Sequence, residues 1–381
     1  MNRGVNPTAP EVEHARSAGL RYVDDGIPGI TRKRTRSGFA FFDAAGKRVT
    51  GDVELGRIKS LAIPPAYEDV WICPIPNGHM QATARDAKGR KQYRYHKRWR
   101  EVRDENKYAS TIEFGAALPS LRARVETDLK RDCMDKEKVI ATVIRMLDDT
   151  LIRVGNETYA RDNDSYGLTT LRPRHVRVTG EKRVRLTFRG KSGIEHAITI
   201  DDRRLAKTVV RCRDLPGELL FTYLDDEGAP QPVQSEDVNA YLRETMDGDF
   251  SAKDFRTFAG TVICATALEA AGSAETVAEA KAKITAAVTQ TAKRLGNTPS
   301  VCRKSYVHPA VIETYLDERK LELPRARAAE TSAGLDTDEK RVLRFLTELG
   351  ERDEGRERLA RLERSVAAAK MKKSRRRSVA A

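Results

Sequence analysis

The stretch Val184-Arg185-Leu186-Thr187-Phe188-Arg189-Gly190-Lys191-Ser192-Gly193-Ile194-Glu195-His196-Ala197-Ile198-Thr199-Ile200 decides the fold. Apolar and polar residues alternate on either side of Arg189-Gly190-Lys191-Ser192-Gly193, the period-2 pattern of two half-buried strands joined by a turn. A further strand, His175–Val178, precedes them. Gly190-Lys191-Ser192 looks like the end of a nucleotide-binding phosphate loop, but the first glycine of that motif would fall at Arg185, and the lysine stands between strands. The nucleotide reading therefore fails. What remains is a lysine at a hairpin tip, for which a solvated turn residue is the bland alternative.

Helical pattern surrounds this sheet. Upstream, Val139, Ile140, Val143, Ile144, Met146, Leu147, Leu151 and Ile152 recur at helix spacing, with Gly155 the expected C-cap. Downstream, Ser235 and Ser251 are expected N-caps, and Asp254 completes a capping box with the second. A long helix from about Ala274 ends at Leu295-Gly296, and Thr298-Pro299 opens a short one that Pro309 closes. Nearer the start, the strand-like runs Ala40–Phe42, Val70–Cys73 and Met80–Ala84 lie between Pro- and Gly-containing turns. The fold class is α+β. The expected organisation is a flexible leader over 1–19, a small β-rich domain over 20–106, a mainly helical domain with a three-stranded antiparallel sheet over 107–324, and a charged helical or disordered tail over 325–381.

The 381 residues suffice for two domains. Lys and Arg number 70 against 56 Asp and Glu, a net charge of +14 that suits a polyanion, with nucleic acid the leading candidate. No run approaches the ~18 apolar residues of a membrane span, and the polar start Met1–Pro10 lacks a signal-peptide core. A soluble intracellular protein with no membrane partner is expected. The five cysteines include no C-x-x-C pair, and the six histidines show no H-x-x-x-H spacing, so neither a disulfide framework nor a metal site is expected.

The charge is uneven. Arg85–Arg103 holds nine Lys/Arg and two acids, whereas the rest of residues 1–106 holds eleven of each. Within it, Gly89–Trp99 interleaves cations with aromatics. Strand alternation puts Arg90, Gln92 and Arg94 on one face and Lys91, Tyr93 and Tyr95 on the other. Such cations suit phosphates, and Gln and Tyr suit base edges or sugars; the alternative is an exposed amphipathic edge with Tyr and Trp packed beneath it. The tail ends in Lys370-Met371-Lys372-Lys373-Ser374-Arg375-Arg376-Arg377, with no acid in the last fifteen residues, which would add nonspecific DNA affinity. Near the C-terminal end, Arg303-Lys304-Ser305-Tyr306 places a tyrosine after two cations. A free phenol has a pKa of ~10, so a nucleophilic role needs cationic help.

From about Leu20 to Arg319 these residues resemble one family, the type IB DNA topoisomerases in their poxvirus-like and bacterial branch. Leu151-Ile152-Arg153-Val154-Gly155-Asn156 resembles the first catalytic arginine motif, and Gly167-Leu168-Thr169-Thr170-Leu171 the entry to the β-hairpin region, where Lys191 takes the place of the hairpin lysine. Lys253-Asp254-Phe255-Arg256-Thr257-Phe258 resembles the second arginine motif, and Lys304-Ser305-Tyr306 the nucleophile. Each motif alone is weak; their common order is specific. The strand Arg90–Tyr95, with Arg90, Gln92, Tyr93 and Tyr95, is similar to the family's DNA-contacting strand, and Tyr159 resembles a further contact. Where the viral enzymes place a histidine nine residues before the tyrosine, this chain has Asn297, as bacterial relatives do.

The resemblance implies relaxation of supercoiled duplex DNA through a 3′-phosphotyrosyl intermediate, without ATP, metal or other cofactor. Tyr306 would be the nucleophile, Arg153 and Arg256 the phosphate clamp, Lys191 the general acid and Asn297 an auxiliary donor. A monomer closing as a clamp around double-stranded DNA, cytoplasmic and associated with chromosomal DNA, is the implied working form. Two alternatives stand beside it. A site-specific tyrosine recombinase normally has a histidine two residues before the second arginine, where this chain has Asp254; a noncatalytic DNA-binding protein of the same fold would leave the tyrosine, lysine and arginines as coincidences.

Overall fold

The computed structural model describes residues 9–36, 38–157, 160–161, 164–325 and 334–352, with the side chains of 9–11, 14, 100–109 and 192 excluded. Tyr159 and the basic end of the tail, 353–381, lie outside the described residues. The chain divides into two compact units, 1–109 and 110–381.

The first unit is built on an antiparallel sheet of β1 (Ile30–Thr35), β2 (Gly38–Phe42), β3 (Glu68–Ile72), β4 (Met80–Arg85) and β5 (Lys91–Tyr95), in the order β2-β1-β3-β4-β5. Ile30, Val70, Ile72, Ala82 and Ala84 form its apolar face, covered by Ile58 of a helix over Asp52–Ser60. Strand β4 is buried on both faces, Gln81 and Thr83 lying opposite Ala82 and Ala84. One expectation is corrected here. Part of the 1–19 leader is a helix, Ala9–Ser17, because Ala15 and Ala18 pack with Leu20 and Trp99, a contact from distant sequence that local pattern does not announce.

The second unit is built around one large core. A helix over Lys97–Asp128 supplies Phe114, Leu118, Leu121 and Val125, and a helix over Lys136–Thr150 supplies Val139, Val143 and Leu147. The sheet β6 (Val176–Thr179), β7 (Arg183–Arg189) and β8 (Glu195–Asp201) is antiparallel in sequence order. Its inner face, Val184, Leu186, Phe188 and Ile200, meets Leu205, Val209 and Cys212 of a helix over Arg203–Asp214. Helices over Ser235–Met246, Ala252–Ala270, Val277–Leu295, Pro299–Ser305 and Pro309–Glu318 complete the unit.

Several local expectations shift. The helix over Lys136–Thr150 ends at Leu151, which takes the left-handed conformation (φ 58°), so Gly155 is not its cap. Pro309 does not close the preceding helix, which stops at Ser305; it opens the next one at its first turn. Gln234, not Ser235, is the cap residue before Ser235–Met246. Residues 337–352, read from composition as part of the tail, are helical and bury Val342, Phe345 and Leu346 in the main core. Arg122 fixes that helix by bonding Asp148 (2.7 Å), Glu339 (2.7 Å) and the Gly334 carbonyl.

Candidate active site

Four separate segments of the second unit meet at one cleft of about 500 Å³, lined by Arg153, Lys191, Lys253, Arg256, Tyr306 and neighbouring backbone. Each reaches it by a different local device. Leu151 turns the chain out of the helix over Lys136–Thr150 toward Arg153, and the Gly167–Thr170 segment then holds the Arg153 loop: Leu168 N–H donates to the Arg153 carbonyl (2.9 Å) and Thr169 N–H to that of Val154 (2.6 Å). Gly167 is required there, since a Cβ would stand 2.5 Å from the Arg153 carbonyl oxygen. Lys191 begins a short 3₁₀ turn between β7 and β8, closed by Gly190 N–H on the Ile194 carbonyl at 2.7 Å.

Arg256 rides the first turns of the helix over Ala252–Ala270. Asp254 caps that helix by accepting from Ser251 N–H at 2.9 Å, so its carboxylate is occupied where a recombinase would place a histidine. Phe255 and Phe258 anchor the helix against Phe114, with centroids 5.0 and 6.1 Å away. The Arg256 guanidinium is buried and spans two chain segments, donating to the Leu151 carbonyl and, at 2.6 Å, to that of Leu295. It is thereby fixed before any ligand arrives. Its centre lies 5.1 Å from the Tyr306 ring centroid.

Asn297 follows Gly296, whose left-handed conformation (φ 59°) ends the helix over Val277–Leu295. Its Oδ1 accepts from Arg153 Nη2 at 2.5 Å. Because arginine can only donate, that bond fixes the amide's orientation and leaves Nδ2 as a donor. Among the described residues, three buried side-chain polar atoms lack a partner: Arg172 Nε, Arg256 Nε and Asn297 Nδ2. Two of the three belong to this group, a cost in free energy that an arriving acceptor would offset.

Tyr306 caps the short helix Pro299–Ser305, its N–H donating to the Cys302 carbonyl at 2.9 Å. Burial pushes its phenol upward, but Arg256, then Arg153 and Lys253, outweigh that and leave it below the ordinary value. Arg256 is itself lowered, by burial and by Arg153. The cleft is therefore a site of crowded positive charge that favours a phenolate and a bound anion. Lys253 is a cleft residue that sequence reading did not single out, although it opens the same motif as Arg256. No group of three or more His, Cys, Asp or Glu side chains suited to a metal occurs among the described residues.

The described nucleic-acid candidates, on the stretch Arg90–Tyr95, lie in the first unit. Tyr93 and Tyr95 stack, with centroids 6.1 Å apart, and Lys91 stands over the Tyr93 ring at 5.7 Å. Arg90 and Gln92 both bond Asp86, at 2.9 and 3.0 Å. The two faces expected from alternation are thus distinct. Tyr95 also packs on the core beneath, beside Trp99.

A tyrosine held among fixed arginines is equipped for nucleophilic displacement at phosphorus, which defines a class of phosphoryl-transfer enzyme. The family model of the eukaryotic DNA topoisomerase I catalytic core matches residues 96–331, and that of the bacterial DNA topoisomerase IB N-terminal domain matches 38–86. The chain is 34% identical over 298 residues to DNA topoisomerase 1B of Acanthamoeba polyphaga mimivirus, covering 76% of this chain and 88% of the relative. It is 23% identical over 261 residues to DNA topoisomerase 1B of vaccinia virus, covering 68% and 78%. The chain belongs to the type IB DNA topoisomerases. The recombinase and noncatalytic alternatives are not favoured by these matches. No helix among the described residues is long and apolar enough to cross a membrane.

Proposed function

We propose that this protein relaxes supercoiled DNA with Tyr306 as nucleophile. The Tyr306 oxygen attacks a backbone phosphorus, a 3′-phosphotyrosyl bond forms, and the bond to the 5′-oxygen breaks. Lys191 gives that oxygen its proton and takes it back when the 5′-hydroxyl attacks the phosphotyrosine. One phosphodiester is exchanged for another, so the cycle needs no ATP, and torsional strain sets its direction. Arg153 and Arg256 hold the nonbridging oxygens, whose charge grows in the transition state. Asn297 donates its unpartnered amide hydrogen to one of them.

One observation carries this reading: Arg153, Lys191, Arg256 and Tyr306, separated by up to 153 positions, line a single cleft. In the same reading the protein acts as a monomer on chromosomal DNA in the cytoplasm. Its second unit has a tyrosine recombinase-like fold, and the two units enclose the duplex as a clamp. The strand Arg90–Tyr95, with Arg90, Gln92, Tyr93 and Tyr95, and further along the chain Tyr159, supply DNA contacts. Relaxation of a supercoiled plasmid in EDTA without ATP tests the proposal. Wild type is expected to relax it and Tyr306→Phe to leave it supercoiled; equal relaxation by the two removes Tyr306 from the mechanism.

A further inference from the structure

The strand that follows Lys191 carries a histidine for which the reaction above has no use. His196 stands opposite Phe188 across the β7–β8 pair and stacks on it, centroids 4.9 Å apart and planes 15° apart. One edge of its ring abuts the root of the Lys191 turn, where a Cβ on Gly190 would lie 2.5 Å from Nε2. Another abuts the turn that delivers Asn297, where a Cβ on Gly296 would lie 3.3 Å from Cε1. Both neighbours are glycines, and the ring fills the space their missing side chains leave. His196 does not line the cleft; it lines a hollow of about 610 Å³ with Leu151, Leu295 and Gly296. The reaction above gives it no contact with the reacting phosphate, so its role there would be indirect.

We propose that His196 is a positioning residue, a flat spacer that sets the Lys191 turn against the Gly296-Asn297 turn so that the lysine enters the cleft at the leaving oxygen. This rests on the general-acid role proposed for Lys191. Backbone bonds, including Tyr166 N–H on the Arg189 carbonyl at 2.8 Å, fix the base of this tip, and proton transfer requires the donor within hydrogen-bond reach. The ring is anchored on Phe188, a core residue, so the spacer is tied to the rigid part of the unit.

The spacer acts uncharged. Burial, then Arg153 and Arg256, hold its imidazole below the ordinary value, with Glu195 opposing weakly. Lys293 and Arg294 line the same hollow and add positive charge nearby. A phenyl ring of similar shape should therefore replace it.

Single-turnover cleavage of a duplex with a mapped cleavage site tests the proposal, comparing wild type, His196→Ala, His196→Phe, Lys191→Ala and Tyr306→Phe. Each is assayed on the ordinary phosphodiester and on one with a 5′-bridging sulfur, whose thiolate leaves without a proton. His196→Ala is expected to cleave the ordinary substrate about 10- to 10²-fold slower, the scale of a misplaced group. Its DNA affinity is expected to stay unchanged, and the sulfur substrate to restore its rate as it restores that of Lys191→Ala. His196→Phe is expected to cleave like wild type, a rescue that also controls for folding. Wild-type cleavage by His196→Ala beside an impaired Lys191→Ala overturns the positioning role alone, and so does a loss that the sulfur substrate does not restore. Normal cleavage of the ordinary substrate by Lys191→Ala overturns the general-acid role and the spacer with it, and cleavage by Tyr306→Phe overturns the underlying nucleophile assignment.

Discussion

The edge strand β5 of the first unit and the cleft of the second are both rich in cations, but they dispose of that charge in opposite ways. At β5, Arg90 just before the strand is paired with Asp86 (2.7 Å) and Lys91 with Asp25 (2.5 Å), and Arg94 reaches a backbone carbonyl at 3.3 Å. In the cleft, Arg256 spends its donors on the Leu151 and Leu295 carbonyls, which fix it without neutralising it, and Arg153 is held by the neutral amide of Asn297. Charge that meets a carboxylate is balanced within the fold. Charge fixed by neutral dipoles stays available to an anion, and it costs no reorganisation when the anion arrives. A net charge of +14 therefore overstates what β5 offers DNA and understates the field at Tyr306.

The largest expected effect breaks the cleft side of this contrast. Arg256→Gln removes a donor of the proposed phosphate clamp and is expected to slow single-turnover cleavage by about 10²–10³-fold. The same change removes the main influence that holds the Tyr306 phenol low, while burial still pushes it up. The phenol of the variant is expected to ionise at higher pH than that of wild type, read from ultraviolet titration with Tyr306→Phe as the reference. An unshifted titration would mean that the arginine does not govern the tyrosine.

Next comes geometry without charge. A Cβ on Gly260 would stand 2.5 Å from the Tyr306 carbonyl oxygen and 3.2 Å from its Cβ. Gly260→Ala must therefore move the backbone of Tyr306, the proposed nucleophile, while removing no cation. Cleavage is expected to fall by about 10²-fold with DNA affinity kept; equal losses in both would show that the whole cleft had shifted.

These two positions also mark how far the sequence was legible. Arg256 stands in a motif, and the Ser251–Asp254 box and the Thr298-Pro299 start were readable because capping depends on neighbours within four residues. The three strands around Lys191 were readable for the same reason, since alternation is local. Gly260 carries no such mark: its meaning lies in Tyr306, 46 positions away. The helix over 337–352 was hidden in the same way, its charged composition masking Val342, Phe345 and Leu346, which are buried in the main core, and its tie to Arg122 spanning 217 positions. The Ala9–Ser17 helix and the turn at Leu151 were likewise settled by packing rather than by propensity.

A third, smaller effect concerns that C-terminal helix. Arg122→Ala leaves Asp148 and Glu339 without the guanidinium both bond, with side-chain exposures of 16% and 13%. A loss of about 1–3 kcal/mol is expected, measured by chemical denaturation, with the cleavage rate of the folded fraction unchanged. A lowered cleavage rate at full folding would instead tie this helix to the cleft.

The smallest effect tests the edge strand. Asp86 is held down to about 2, chiefly by the hydrogen bond from Arg90. A depressed carboxylate keeps its partner above that value and releases it only as pH falls through it, so no neutral or mildly acidic buffer frees Arg90. Substitution does. Asp86→Asn removes one negative charge from the strand and leaves Arg90 and Gln92 without their shared carboxylate. DNA affinity is expected to rise severalfold, and log affinity against log salt to steepen by about 0.9 for each phosphate newly neutralised. Arg90→Ala in wild type is expected to change both quantities less than Asp86→Asn does, since the arginine it removes is already balanced. A larger loss from Arg90→Ala would mean that Arg90 leaves Asp86 for the phosphate when DNA binds, and that the edge strand, like the cleft, holds its charge in reserve.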